Sequence, residues 1–138
     1  MSDMTDSKTV MTEYVAALQQ GDADAVRAFF AENATWTLHA GDLPMSGTWT
    51  GRAVIMDEFF AIAMGNYEPG TIDIEVTAML GEGDRTVLQW TTRTRTRDGR
   101  SYENGCIGIF TIRDGKIEAV REYMDTLYVA NMFFPAGA

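Results

Sequence analysis

Apolar residues recur every three or four positions in three stretches of the N-terminal half, and this spacing predicts amphipathic helices. The first helix is predicted over Ser7–Gln20, with an apolar face made of Val10, Met11, Tyr14, Val15 and Leu18. A second helix is predicted after Asp22, a common N-cap residue, and turns inward Val26, Phe29 and Phe30. The third is predicted over residues 52–64, with an apolar face made of Ile55, Phe59 and Ile62.

Most of the remaining chain alternates between apolar and polar residues, which is the period of a β-strand. A short strand is predicted over residues 34–40, a loop over residues 41–51, and longer strands over residues 71–80 and 85–97. Two Asp-Gly turns, Asp98-Gly99 and Asp114-Gly115, then join three antiparallel strands. Helices first and a sheet last predict an α+β fold, with residues 1–138 forming a single domain.

The tail after the last strand is rich in apolar residues. Residues 125–138 predict a short helix or an extended flap that closes a cavity or covers a partner subunit, with Asp125 as the helix cap.

The first Asp-Gly turn predicts which side chains share one face of the sheet. Counting outward from a two-residue turn pairs Arg93 with Asn104 and Thr91 with Cys106. One face is then predicted to carry Gln89, Thr91, Arg93, Asn104, Cys106, Gly108 and Phe110.

The second Asp-Gly turn allows two registers. A three-residue loop that ends at Gly115 pairs Cys106 with Glu122, so that Glu122 joins this face within reach of Arg93. A two-residue turn instead places Glu122 on the face of Ile107. Hydrophobicity alone leaves both registers open.

Charge and composition exclude several classes of partner. The chain has 20 acidic and 11 basic residues, and its net charge of -9 repels nucleic acid and anionic membranes. No apolar run has the length of a membrane helix, and the polar N-terminus has no secretion-signal core, so we expect a cytoplasmic protein. With one cysteine, Cys106, and one histidine, neither an internal disulfide nor a Cys/His zinc site is expected. No metal and no cofactor is predicted.

Three runs of sequence carry a family resemblance. Residues 14–35 (YVAALQQGDADAVRAFFAENAT) are similar to ketosteroid isomerase, and residues 99–125 (GRSYENGCIGIFTIRDGKIEAVREYMD) are similar to limonene epoxide hydrolase. Between them, residues 43–60 (LPMSGTWTGRAVIMDEFF) resemble the loop and third helix of SnoaL-like proteins. The chain thus resembles the SnoaL-like branch of the nuclear-transport-factor-2-like superfamily. The resemblance implies a cone-shaped fold, in which a strongly curved antiparallel sheet packs on three N-terminal helices, with a deep apolar cavity and a homodimeric assembly.

The resemblance to ketosteroid isomerase carries over one of three functional groups. It places the phenolic hydrogen-bond donor on Tyr14, which is present. It places the general-base aspartate on Leu38 and the protonated aspartic acid on Gly108, so both carboxyl groups are missing. Steroid isomerisation by that mechanism is therefore not expected.

The other relatives point to the last strand. The resemblance to limonene epoxide hydrolase places the Arg-x-Asp pair on Thr91 and Arg93, and the water-holding residues near Trp36 and Leu38. It places the remaining aspartate on Glu122, which also corresponds to the catalytic aspartate of the polyketide cyclases. The chemistry implied by the resemblance thus converges on one carboxylate.

Glu122 and Tyr14 are the candidate catalytic residues. In a dry cavity without a cation, the pKa of Glu122 rises and its carboxyl group donates a proton. Beside Arg93 it stays ionised and acts as a base or an anchor. The candidate ligand-binding residues orient the ligand, line the cavity or lie at its mouth, and they are Arg93, Asn104, Trp36, Leu38, His39, Phe59, Trp90 and Phe110.

Two functional hypotheses follow from these residues. The first is an acid-base enzyme of the isomerase, cyclase or hydrolase type that acts on a small apolar molecule. The second is a non-catalytic module for small-molecule binding or dimerisation with the same fold.

Overall fold

The computed structural model describes residues 7–39 and 41–135, and its first two helices confirm the sequence predictions. Helix α1 spans Ser7–Gln20, and Tyr14 on its apolar face is almost completely buried. Helix α2 spans Ala23–Ala28, and the Asp22 carboxylate accepts a hydrogen bond of 3.1 Å from the Ala25 amide, as expected of an N-cap.

The third helical run covers the predicted range but is not a uniform α-helix. It consists of α3 at Arg52–Val54, a π-helical turn at Ile55–Phe59, and α4 at Phe60–Met64. A π-turn adds a residue to the helical repeat and shifts the side chains that follow it. The two consecutive aromatic residues Phe59 and Phe60 consequently both reach the interior.

Six strands form one sheet. They are β1 (Phe30–Leu38), β2 (Gly47–Thr50), β3 (Asp73–Glu82), β4 (Arg85–Arg95), β5 (Ser101–Arg113) and β6 (Lys116–Met124). Their order is β2-β1-β6-β5-β4-β3, and all neighbours are antiparallel except β1 and β6, which run parallel. Helix α5, at Thr126–Phe133, follows the last strand, and its N-cap is Asp125, as predicted.

Two predictions for the N-terminal strands were wrong. The first strand begins at Phe30, which the helical spacing had assigned to the inner face of the second helix. The segment predicted as a loop contains β2, whose Trp49 pairs with Trp36 of β1. The edge strand β2 has only four residues, too few for an alternation that stands out from the surrounding loop.

The first Asp-Gly turn has a different length from the one predicted. Thr96 and Arg100 close a three-residue loop, in which the Thr96 amide donates to the Arg100 carbonyl at 2.8 Å. Gly99 takes the left-handed conformation that such a loop requires, with φ of 88°. Arg93 therefore pairs with Glu103 and not with Asn104, and every side chain of β4 lies on the face opposite to the prediction.

The second turn has the two-residue length of one of the two open alternatives, whereas Glu122 lies on the face that the other, three-residue alternative predicted. Asp114 and Gly115 form a two-residue turn with φ angles of 53° and 74°. A β-bulge then shifts the register near Glu118, so that Glu122 pairs with Gly108. Without the bulge, the two-residue turn would have placed Glu122 on the face of Ile107.

The hydrophobic core fills the space between the helices and the inner face of the curved sheet. Phe30, Phe110 and Val120 are almost fully buried there. Helix α5 closes one end, because Val129 and Phe133 pack against this core, in agreement with the predicted closing tail. No helix in the described part of the chain combines the length and apolar character needed to cross a membrane.

Candidate functional site

A cavity of about 600 Å³ lies between the helices and the inner face of the sheet. This size suits a small organic molecule. Its lining is mostly apolar and includes Tyr14, Val26, Trp36, Leu38, Met56, Phe59, Phe60, Tyr67, Ile74, Leu88, Trp90, Thr92, Tyr102, Cys106, Phe110, Glu122, Met124, Val129 and Phe133.

The mouth of the cavity can be located from the exposed residues of its lining. These lie at the α1–α2 turn, at the end of α4 and before β3, and they include Gln20, Gly21, Met64, Gly70 and Asp73. Met64 is 51% exposed, whereas Glu122 is 6% exposed. The carboxylate thus lies in the closed part of the cavity, away from the mouth.

Glu122 is positioned by β6 and held by one hydrogen bond. The Trp36 indole Nε1 donates to Glu122 Oε1 at 2.9 Å. Leu38 of β1 is the parallel partner of Glu122, so the neighbouring strand presents an apolar side chain beside the carboxylate. Burial raises the pKa of Glu122 to about 7, and the Trp36 hydrogen bond opposes the rise. At neutral pH the group exists in both protonation states.

Arg93 is not the cation of this site, and its predicted role in ligand binding is corrected. The register of β4 places it on the outer face, where its side chain is 42% exposed. It forms ion pairs with Glu75 at 2.6 Å and with Glu103 at 3.5 Å. The environment of Glu122 therefore agrees with the first of the two predicted ones, because the cavity lining is mostly apolar and no described arginine lies beside the carboxylate.

Tyr14 projects from α1 into the cavity, as predicted. Its ring packs edge-on against Phe29 and Phe30, with centroid distances of 5.9 and 5.8 Å. Its hydroxyl has no hydrogen-bond partner among the described residues. Burial, and then the charge of Glu122, raise the pKa of Tyr14, so the hydroxyl keeps its proton and remains a donor.

The predicted aromatic and aliphatic lining is found in the cavity. Leu38, Phe59 and Phe110 line it together with the two tryptophans Trp36 and Trp90. Leu38, Phe59 and Phe110 are inward positions of a strand or a helix. Trp90 was also a predicted lining residue, but the predicted register of β4 had placed it on the opposite face, and the three-residue loop turns it inward.

His39 does not line the cavity, so its predicted place among the ligand-binding residues is corrected. It is exposed beyond the end of β1, where its ring stacks on Tyr123 at a centroid distance of 5.3 Å. Its Nε2 lies 2.7 Å from an Arg121 guanidinium nitrogen. Since residues of a strand alternate between faces, His39 follows the inward Leu38 and points outward.

Sequence analysis did not identify two neighbouring tyrosines of the cavity lining. Tyr67 and Tyr102 both line the cavity, and their ring centroids lie 5.6 Å apart. Asn104 Nδ2 donates to the Tyr102 hydroxyl, at 3.0 Å. Tyr102 was available from the alternation of β5, whereas Tyr67 lies outside the named strands and had no comparable signal.

Asn104 is buried beside Tyr102 and does not line the cavity itself. It is 2% exposed, and its Oδ1 is buried without a hydrogen-bond partner among the described residues. Its Nδ2 is engaged by the Tyr102 hydroxyl and the Asp125 carbonyl. Asn104 is therefore placed to orient Tyr102 and not, as predicted, to bind the ligand directly.

Gly108 and Cys106 fit the site as small residues beside large ones. A Cβ atom on Gly108 would lie 2.8 Å from Phe110 Cε1 and 3.3 Å from Trp90 Cζ3, so the glycine makes room for both rings. Cys106 is buried and its thiol donates to the Asn104 carbonyl. Burial raises the pKa of Cys106, which agrees with its predicted packing role.

Among the described residues, no group of three or more His, Cys, Asp or Glu side chains is arranged to hold a metal ion.

Comparisons with known proteins identify the family. The sequence profile of the SnoaL-like domain matches residues 11–120. A search of curated protein sequences found no match.

Three solved structures illustrate the shared fold. An NTF2-like protein from Burkholderia thailandensis is 22% identical, with a TM-score of 0.82 over 94% of this chain and 98% of that chain. TerC, co-crystallised with polyporic acid, is 21% identical, with a TM-score of 0.77 over 91% and 95%. A protein from Catenulispora acidiphila with a ketosteroid isomerase-like fold, in complex with trimethylamine, is 19% identical, with a TM-score of 0.68 over 83% of each chain. The fold is thus the NTF2-like cone, and the chain belongs to the SnoaL-like domain family.

Proposed function

We propose that this protein is an enzyme that binds a small, mostly apolar molecule in the cavity and transfers protons with Glu122. The observation that carries the proposal is the buried carboxyl group of Glu122, which faces the cavity and has Trp36 as its hydrogen-bond donor. A pKa of about 7 makes this group both an acid and a base at neutral pH. Isomerisation, aldol-type cyclisation and water addition all need such a group.

The remaining polar groups of the cavity have separate roles in binding the substrate. The Tyr14 hydroxyl, which keeps its proton, donates a hydrogen bond to an oxygen of the substrate as negative charge develops there. The Tyr67–Tyr102 pair supplies a second polar point in the lining. The apolar walls exclude water, which strengthens each of these interactions.

Two of the solved structures of this fold contain small organic molecules. TerC was co-crystallised with polyporic acid, and the Catenulispora acidiphila protein was in complex with trimethylamine. These cases support a small-molecule ligand for this chain and leave its identity open.

The test compares the native protein with Glu122→Gln on panels of enones, polyketide intermediates and epoxides. We expect kcat/KM to fall by roughly 10² to 10⁴, the usual contribution of a positioned acid or base. In the native protein, kcat/KM should follow an ionisation near the Glu122 pKa of about 7. The matched control is Glu118→Gln, on the same strand, whose carboxylate lies 3.6 Å from Arg113 on the surface. Equal turnover by the native protein and Glu122→Gln would exclude Glu122 from the mechanism.

A second candidate is a non-catalytic binding module of the same fold. One observation favours it: Leu38 and Gly108 stand where ketosteroid isomerase has carboxyl groups, so Glu122 is the single acid in the closed part of the described lining. Tight binding of several panel compounds with no turnover of any would support this candidate over the enzyme.

A further inference from the structure

The charged residues of the described cavity lining are all acidic. Among the described lining residues none is Lys, Arg or His, and two are acids, Glu122 in the closed part and Asp73 at the mouth. Basic groups close to the mouth are engaged outside it. Arg93 pairs with Glu75 and lies 4.0 Å from the Asp73 carboxylate at the mouth, and Arg97 Nε donates to the Gly65 carbonyl at 2.7 Å. In the closed part of the cavity, an anionic ligand would therefore meet the Glu122 carboxylate and no cation among the described lining residues.

Aromatic rings surround the partner of Glu122. Trp36 packs against Phe59, Phe60 and Phe110, with ring centroids 5.5, 5.2 and 5.8 Å away. Phe60 and Phe110 stand at 82° and 86° to the indole plane, so the lining presents ring faces in more than one direction. The negative face of an aromatic ring attracts a cation, and several rings with one carboxylate form a known type of ammonium site.

The ionised form of Glu122 lacks a counter-charge. The described residues provide it with one neutral donor, the Trp36 N–H. A buried charge without a partner is unfavourable, and a cation beside the carboxylate offsets part of this penalty through their mutual attraction. A neutral ligand does not.

We propose that the ligand of this cavity is an apolar molecule that carries a protonated or quaternary amine, with its nitrogen placed between Glu122 and the aromatic walls. The proposal rests on the proposed function, because it assumes a ligand in contact with Glu122, and it adds the charge of that ligand. The net charge of -9 favours the approach of a cation.

Ligand charge determines how affinity changes with pH. A cation binds the ionised form of Glu122, which is about a tenth of the protein at pH 6 and about nine tenths at pH 8 if the pKa is near 7. The apparent Kd of a quaternary ammonium ion is therefore expected to be roughly tenfold weaker at pH 6. The other titratable groups around Glu122 are Tyr14, Tyr67 and Cys106, whose pKa values are raised by burial, so they stay protonated over this range.

The experiment compares phenyltrimethylammonium with tert-butylbenzene, its carbon isostere, in which a quaternary carbon replaces the charged nitrogen. Binding to the full chain is followed by tryptophan fluorescence at pH 6 and pH 8, because Trp36 and Trp90 line the cavity. We expect the cation to bind at least tenfold more tightly than the isostere at pH 8. We also expect its affinity to increase from pH 6 to pH 8, while that of the isostere stays constant or decreases.

Two variants identify the carboxylate responsible. Glu122→Gln should lose most of the preference for the cation and all of its pH dependence, with circular dichroism confirming that the variant is folded. Glu118→Gln makes the same charge change on the same strand and should bind like the native protein. Equal or tighter binding of tert-butylbenzene by the native protein, or failure of the cation to bind at either pH, would overturn the proposal.

These results are independent of the turnover assays. A charge preference without turnover would support the amine ligand and contradict the enzyme. Glu122-dependent turnover of neutral substrates without a charge preference would support the enzyme and contradict the amine ligand.

Discussion

The indole N–H of Trp36 donates to Glu122 Oε1 at 2.9 Å, and this bond joins the first strand of the sheet to the last. The two residues are 86 positions apart in the chain and meet because β1 and β6 pair in parallel. The bond occupies one carboxylate oxygen and leaves Oε2 without a donor among the described residues. Trp36 therefore positions the group that we assign to proton transfer.

Replacing Trp36 with Phe removes this donor and keeps an aromatic ring. Because the hydrogen bond stabilises the ionised carboxylate, we expect the pKa of Glu122 to rise further above about 7. Carbon-13 NMR of the glutamate carboxyl groups measures this directly, and the pH profile of kcat/KM should move in the same direction. A pKa that stays constant or falls would show that the bond does not hold the ionised form. Trp49→Phe, whose Nε1 donates to the Met45 carbonyl, is the matched control.

The stability of the protein should depend on pH through Glu122. Its pKa is about 7 in the folded state against 4.5 in the reference state, so the folded protein binds the proton more tightly. The associated stabilisation is present below pH 4.5 and is lost as the pH rises through about 7, a change of about 3 kcal/mol. Glu122→Gln removes this dependence of stability on pH. Denaturation at pH 5 and pH 8 should therefore show that the variant is more stable, relative to the native protein, at pH 8 than at pH 5. The same difference at both pH values would contradict the assignment.

A side chain at Gly108 is expected to destabilise the folded protein. In Gly108→Ala the new Cβ would lie 2.8 Å from the buried Phe110 ring, and we expect a loss of about 1–3 kcal/mol from forced repacking. Gly105→Ala is the matched control in the same strand, because its Cβ would meet nothing within 4 Å. Urea denaturation of both variants measures the difference, and equal stabilities would show that the two rings can move apart.

Removing the Tyr14 hydroxyl should affect function more than stability. Tyr14→Phe keeps the ring contacts with Phe29 and Phe30 and removes a hydroxyl that has no partner among the described residues. We expect the free energy of unfolding to change by less than about 1 kcal/mol. In the turnover assays we expect a fall in kcat/KM of roughly tenfold to a hundredfold, as for the loss of one hydrogen-bond donor to the reacting oxygen. Unchanged kinetics would remove Tyr14 from the mechanism.

The two Asp-Gly turns show what local sequence specifies and what it does not. Both dipeptides form hairpins, as predicted, but the first closes a three-residue loop and the second a two-residue turn. In the first, the Thr96 hydroxyl accepts from the Arg100 amide at 2.9 Å and donates to the Asp98 carboxylate, contacts that hold the longer loop. These side-chain bonds decide the register, and an Asp-Gly signal does not contain them.

By itself the sequence determined the helices with their Asp22 cap, the existence of the hairpins and most of the apolar lining, because these features follow from local periodicity and from residue types. Local pattern left the face of Glu122 open, and the family resemblance singled this residue out as the candidate acid. Tertiary structure decided that Arg93 faces solvent, that Tyr67 and Tyr102 meet, and that Trp36 and not an arginine binds Glu122. The reason is that a shift of one residue in strand register moves every side chain of that strand to the opposite face. The register here depends on how the first loop closes and on a β-bulge in β6, which also pairs in parallel with the distant strand β1.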